Sequence, residues 1–382
     1  MAQPRDFGFG DEETMVRDQA RKLLRERVPA DRLRVLVAGD HHAAYESPVP
    51  PAAWDRALWD EMVGLGWPAL LVPEAAGGVG AKMVGVAALA EEIGRAAVPS
   101  PLPATLAATA ALRAALALGH AAATPALEAI AGGTAATLAV TGRRGSWEPA
   151  DTDVERLADG RLRGTACFVQ DVRKCGLLVV AAKCAAGVSL HVVRTDAPGV
   201  EALPDRIVDL TRDQARVRFD AAENDTVAGP GAGERALDAA LPAILVLLGA
   251  DQTGAAEWQL QTTTEYARVR TQFDRPIGFF QAVKHPLVNV MTAVDRARSL
   301  VYGAACAVDT DPDAALRLAR MAKAAAADAG AFASDRSVQL HGGIGFTWEC
   351  DVHLWFKRQK HTQFLWGDAT WQRARLAELR AA

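Results

Sequence analysis

Apolar and polar positions change their rhythm twice along the chain. From Met15 to Val28 the apolar residues Met15, Ala20, Leu23 and Leu24 are placed on one face of a helix. The next apolar stretch, from Trp59 onward, is broken by Gly64, Gly66 and Pro68 and ends in a Gly77-Gly78 loop. Met83 to Ala96 reads as a strong helix, and Ala- and Leu-rich helices continue to about Ile130. Near Gly132 the texture becomes short runs rich in Val, Leu and Thr. They are centred on Leu138, Phe168, Val179, His191 and Val217, with Gly, Asp and Pro between them. That pattern predicts antiparallel strands in a sandwich or barrel. A Gly/Pro linker, Gly229 to Glu234, closes this part, and helical texture then lasts to the C-terminus. It is punctuated at Pro276-Ile277-Gly278, Asp311-Pro312-Asp313 and His341 to Gly345. The expected order is a helical domain over 1–131, a β domain over 132–230 and a second helical domain over 231–382.

Composition narrows the class. A chain of 382 residues is too long for one ordinary core. Half its residues are apolar, as in a soluble globular protein, and its net charge of −4 argues against a general nucleic-acid partner. The five cysteines (Cys167, Cys175, Cys184, Cys306, Cys350) form no CxxC pair and no Cys/His metal spacing, so inert thiols and no metal are expected. The first twenty residues show no apolar leader core, and the run around Ile244 to Ala250 is short for a membrane span. A cytoplasmic protein with no membrane partner is the resulting expectation.

Chemistry concentrates in the last third. Arg270-Thr271-Gln272-Phe273-Asp274-Arg275-Pro276-Ile277-Gly278 runs on to Gln281, and Gln339-Leu340-His341-Gly342-Gly343-Ile344-Gly345 follows later. Alone, Arg270 reads as a surface arginine, Phe273 as core and Gly342-Gly343 as a helix stop. Together, and in this order, they resemble two signature segments of the acyl-CoA dehydrogenase family. Leu65 to Gly80 and Glu91 to Pro103 resemble that family's first domain. The resemblance spans nearly the whole chain. It implies a helical domain, a β domain and a C-terminal four-helix bundle, with FAD as cofactor. It further implies that Arg270, Phe273, Gln281, Gln339, Gly342 and Gly343 serve FAD held by a neighbouring subunit, in a homo-oligomer or with a homologous chain. A guanidinium suits a diphosphate, and glycines admit close approach of backbone. The implied activity is α,β-dehydrogenation of an acyl-CoA, with an electron-transfer flavoprotein as acceptor and fatty acids or steroid side chains among the substrates.

The chain departs from the family at three places. Asp274 stands where the family usually has Gly. In the β domain, Thr141, Gly145 and Ser146 match a flavin-covering loop that otherwise carries Glu and Asp, and Cys167-Phe168-Val169-Gln170 replaces a Trp-Ile-Thr-Asn strand. Thr141 and Ser146 remain candidate cofactor contacts. The third departure is the base. Family members abstract the substrate α-proton with a Glu, for which an ungapped reading places Trp366; the minority position falls on Ile244. Neither can take a proton. Asp368 and then Asp251 are the candidate replacements, although a helix cap and a packed, hydrogen-bonded acid are the plainer roles for them. Three functions therefore stand: a dehydrogenase with an unconventional base, a half-site subunit that completes a partner's FAD site, or a family fold turned to another flavin oxidation.

Overall fold

The computed structural model describes residues 7–39, 45–47 and 49–381. The first six residues of the stretch read as lacking a leader core lie outside the described residues. Helix α1 (Asp11–Arg27) opens with Asp11, Glu12 and Glu13 and closes with Arg25 and Arg27, each sign at the end where the helix dipole favours it. Ala20 and Leu24 are buried as the periodicity predicts, but Met15 is 65% exposed. Five residues separate Met15 from Ala20, about 140° around a helix, so the two cannot share a face. Helices α2 (Ala30–Ala38), α3 (Arg56–Gly64), α4 (Met83–Arg95), α5 (Leu102–Ala117) and α6 (Thr124–Ala131) follow. Helix α4 is buried from Met83 to Gly94. Its two acids survive burial because they are paired. Arg21 Nη2 reaches Glu92 at 2.7 Å, Arg298 Nε reaches Glu91 at 3.0 Å, and the Tyr302 hydroxyl donates to Glu91 at 2.9 Å.

The sheet contains β1 (Ala136–Ala139), β2 (Val154–Arg156), β3 (Leu162–Gln170), β4 (Leu177–Cys184), β5 (Gly187–Arg194), β6 (Val200–Pro204), β7 (Gln214–Ala222) and β8 (Asp225–Ala228). Its order is β6-β7-β3-β2-β4-β5-β8, with β1 against β4. Pairing is antiparallel except where β1 and β2 run parallel to β4. The apolar run of β4 faces two cores. Leu178, Val180 and Ala182 enter the interior of the β domain, whereas Val179 and Ala181 pack toward the helices. Burial on both faces explains why this strand lacks polar alternation.

Three long helices, α7 (Ala232–Val269), α8 (Gln281–Thr310) and α9 (Pro312–His341), form the C-terminal bundle with α10 (Val352–Thr362) and α11 (Ala369–Ala381). By length and composition α7 could cross a membrane, yet 78% of its most apolar window is buried inside the protein, as suits a core helix. It crosses α4 at backbone contact. A Cβ on Gly94 would overlap the Asp251 carbonyl, and one on Gly254 would overlap the Glu91 carbonyl.

Candidate substrate and cofactor site

An apolar cavity lies where the three parts of the chain meet. It takes in about 840 Å³ of space between atoms, with the open solvent at its mouth included. Helix α4 contributes Ala90 and Ile93, α5 contributes Leu106 and Ala107, and α7 contributes Ile244 and Leu247. Leu138, Val140 and Thr141 bring the edge of the sheet, and Leu365 and Trp366 bring the loop before α11. The alanines of α4 and α5 leave the space, since a helix lined with methyl groups packs without filling it.

One stretch of the wall is charged. Asp251 Oδ2 accepts from Arg212 Nη2 at 2.8 Å and from Arg358 Nη2 at 2.5 Å, and Asp251 Oδ1 accepts from Arg358 Nε at 3.2 Å. All three side chains are buried. Burial alone would raise the Asp251 carboxyl; the guanidiniums of Arg358 and Arg212 outweigh it and hold the group below its ordinary value. A carboxylate so held is a weak base. Asp171 lies beside this network with its Oδ1 2.7 Å from Lys174 Nζ. His361, whose Nε2 meets Gln170 Oε1 at 2.8 Å, is lowered to about 4 by burial and is neutral at physiological pH.

Trp147 and Trp366 stack with ring centroids 5.2 Å apart and 25° between planes. A second cavity shares Trp147, Phe168 and Leu365 with the first and is bordered by Ser146, His361, Phe364, Asp368 and Trp371. Trp366 is left-handed at φ 58°, which aims the loop back over α9. Under the loop lies Lys323, fully buried, its Nζ donating to the carbonyls of Gln363 at 3.0 Å and Gly367 at 3.4 Å. Burial lowers Lys323 to about 7. The unfolded chain therefore binds more protons than the folded one between about pH 7 and the ordinary lysine value near 10.4, so this residue's contribution to stability rises with pH across that window. Lys323→Met should abolish that rise, read as the slope of the unfolding midpoint against pH. An unchanged slope would show that the ammonium is retained at no cost.

The two candidate bases take the plainer roles. Asp368 Oδ1 accepts from the Trp371 N–H at 2.8 Å and caps α11, while Asp251 is held by its arginines. Thr141 is buried on the wall of the first cavity, its hydroxyl unpartnered among the described residues; Ser146 borders the second cavity and donates to Asp151 at 2.6 Å. Sequence reading singles out neither Trp147 nor Arg212, Asp171 and Lys323. Trp147 could be noticed as the neighbour of Ser146; nothing local marks the others.

The remaining candidates gather at one end of the bundle. Tyr266 stacks on His341 at 4.3 Å and the Thr263 hydroxyl donates to Ser337 at 2.9 Å, which joins the ends of α7 and α9. Arg270, Phe273, Gln281, Gln339, Gly342 and Gly343 are all exposed there. Phe273, at 87%, and Phe346, at 77%, are the most exposed of the large apolar side chains among the described residues. Thr271–Gln272 pairs with Arg275–Pro276 in a tight hairpin whose central residues, Phe273 and Asp274, have φ of 54° and 59°. Asp274 thus occupies a left-handed position that glycine favours and Asp tolerates. Arg275 lies over the Phe279 ring at 4.4 Å. A Cβ on Gly342 or Gly343 would meet nothing among the described residues, so the backbone there is open to a cofactor or to another subunit. The donors present (a guanidinium, two amides, exposed glycine backbone) fit an anionic dinucleotide.

Comparison with known proteins agrees with this layout. The family model described as acyl-CoA dehydrogenase, N-terminal domain, matches residues 10–126, and that for the C-terminal domain matches residues 233–379. The chain is 33% identical over 351 residues to the acyl-CoA dehydrogenase IpdE2 of Mycobacterium tuberculosis, covering 91% of each. Among solved structures, a variant of the Tcur3481-Tcur3483 steroid ACAD is 29% identical with a TM-score of 0.84, covering 98% of each chain. The ChsE4-ChsE5 complex from Mycobacterium tuberculosis is 26% identical, also with a TM-score of 0.84, over 98% of this chain and 99% of that one. The chain belongs to the acyl-CoA dehydrogenase family.

Proposed function

We propose that this chain is a subunit of an FAD-dependent acyl-CoA dehydrogenase assembly, and that it lends its bundle end to flavin dinucleotide held by a neighbouring subunit. The carrying observation is the state of its own cavity. An ungapped reading puts Trp366 at the position of the family's base; on the cavity wall Asp251 is held by Arg212 and Arg358, and Asp171 keeps one oxygen on Lys174. Among the described residues, Asp171 Oδ2 is the one carboxylate oxygen on that wall without a partner. Arg270 would meet the diphosphate, Gln281 and Gln339 would supply amides, and Gly342 and Gly343 would supply backbone. FAD, when bound, supplies the hydride acceptor. The likeness to structures named for pairs of different chains supports a mixed assembly. An electron-transfer flavoprotein is the acceptor this reading carries with it.

The test is to purify the chain alone and then with a homologous subunit. We expect a colourless chain alone, and with the homologue a yellow assembly that an acyl-CoA bleaches without oxygen. A chain yellow by itself and bleached by acyl-CoA would overturn the half-site reading. One observation favours that second reading: Asp368 borders the second cavity, which shares Trp147 and Leu365 with the first. Under it, Asp368→Asn should abolish bleaching.

Arg270→Ala in the assembly should weaken flavin retention about 10- to 100-fold, the equivalent of a charged hydrogen bond. Because Arg270 is exposed, the unfolding midpoint of the isolated chain should not move. Unchanged retention on dilution, read by flavin fluorescence, would show that the bundle end does not serve the dinucleotide.

A further inference from the structure

The charged stretch of the first cavity holds more hydrogen-bonding capacity than the protein uses. Asp171 is fully buried; its Oδ1 binds Lys174, and its Oδ2 has no partner among the described residues. Arg212 is 6% exposed; its Nη2 binds Asp251, and its Nε has no partner among them either. Both residues border the same cavity. A buried polar atom left unpaired costs about 1–3 kcal/mol, more when charged; apart from the Thr141 hydroxyl, these two are the unpaired buried side-chain atoms on this wall among the described residues, and being charged they mark a place for a ligand group.

The group's chemistry follows from what is missing. One orphan is an acceptor and the other an N–H donor. A hydroxyl donates and accepts at once and satisfies both, whereas a ketone only accepts and satisfies Arg212 alone. Charge decides against an ion. Asp171, Asp209, Asp213 and Asp251 are matched by Lys174, Arg173, Arg212 and Arg358 around the site, and the neighbouring His361 is neutral. A ligand carboxylate would add a buried charge with no counterpart.

We propose that this wall recognises a hydroxyl on the distal part of an apolar acyl group, with Asp171 Oδ2 accepting a hydrogen bond from its O–H and Arg212 Nε–H donating to its oxygen. That the apolar group is an acyl chain rests on the function proposed above; the hydroxyl subsite stands on the cavity itself. Asp171 and Arg212 are specificity determinants here and take no part in bond breaking.

The experiment is calorimetric titration of the full chain, near neutral pH and without CoA or flavin, with three rigid probes: decahydro-2-naphthol, the corresponding ketone and the corresponding 2-carboxylate. The alcohol should bind about tenfold tighter than the ketone, one hydrogen bond's worth, and the carboxylate weakest of all. In Asp171→Asn the alcohol's advantage should shrink to about twofold, because an amide oxygen lacks the carboxylate's charge. If that variant does not fold, the ranking on the wild-type chain decides. A ketone equal to the alcohol, a carboxylate that binds tightest, or no saturable binding by any probe would overturn the inference. Alcohol preference without flavin retention by any assembly would instead sink the proposed function and leave this subsite standing.

Discussion

Replacing Asp251 by alanine should remove about 3–5 kcal/mol of stability, the loss typical when one partner of a buried ion pair is deleted. The variant would leave Arg212 and Arg358 facing each other inside the protein, both buried. Arginine cannot escape by losing its proton. Arg358 Nη1 would keep only the Thr211 hydroxyl, at 2.9 Å. These residues come from the segment before β7, from the middle of α7 and from α10, so the damage falls on the junction that builds the cavity. Thermal and urea unfolding would read it. A loss under about 1 kcal/mol, the scale of a surface pair, would show that the network is not held as described. The pH dependence has a definite sign. The Asp251 carboxyl is held below its ordinary value, so its contribution is full above the unfolded value near 3.9 and is lost as pH falls through the folded value. The gap between wild type and Asp251→Asn should therefore narrow below about pH 4.

The second large effect belongs to the crossing of α4 and α7. Gly254→Val should destabilise the protein by about 3 kcal/mol or more, at the upper end of overpacking. On helix propensity alone, glycine in a helix is about 1 kcal/mol worse than alanine. The close approach must outweigh that preference, since a Cβ there would overlap the Glu91 carbonyl and crowd Arg95 N. Neither obstacle is the end of a flexible side chain; both are backbone of α4. Gly94→Ala meets the reciprocal obstacle, the backbone of Asp251. Either variant should lower the unfolding midpoint and weaken binding in the cavity together, because Ala90 and Ile93 on one helix and Ile244 and Leu247 on the other are facing walls. A Gly254→Val chain with an unchanged midpoint would show that the helices separate freely.

Much of this protein is legible in the chain before any coordinates. Helix and strand texture is local, so the α, β, α order can be read from periods of 3.6 and 2. The strands β2, β6 and β8 escape that reading because each is short and at most half of its residues are buried, with little apolar signal. Met15 lies off the face that a count of apolar residues assigns it, because such a count ignores the angle between them. The Arg270 to Gln281 and Gln339 to Gly343 segments are also readable, since each is contiguous and its glycine, proline and charged residues stand at characteristic offsets.

What the sequence alone determined, then, was the type and order of the elements and the contiguous segments that place the chain in its family. Only the tertiary structure decided which residues share a cavity. Asp251 and Arg358 are 107 positions apart, and Trp147 meets Trp366 across the β domain and the bundle. No periodicity links such positions. Whether a buried carboxylate is a base or an ion-pair partner depends on the charges within a few ångströms of it, and folding alone sets those distances.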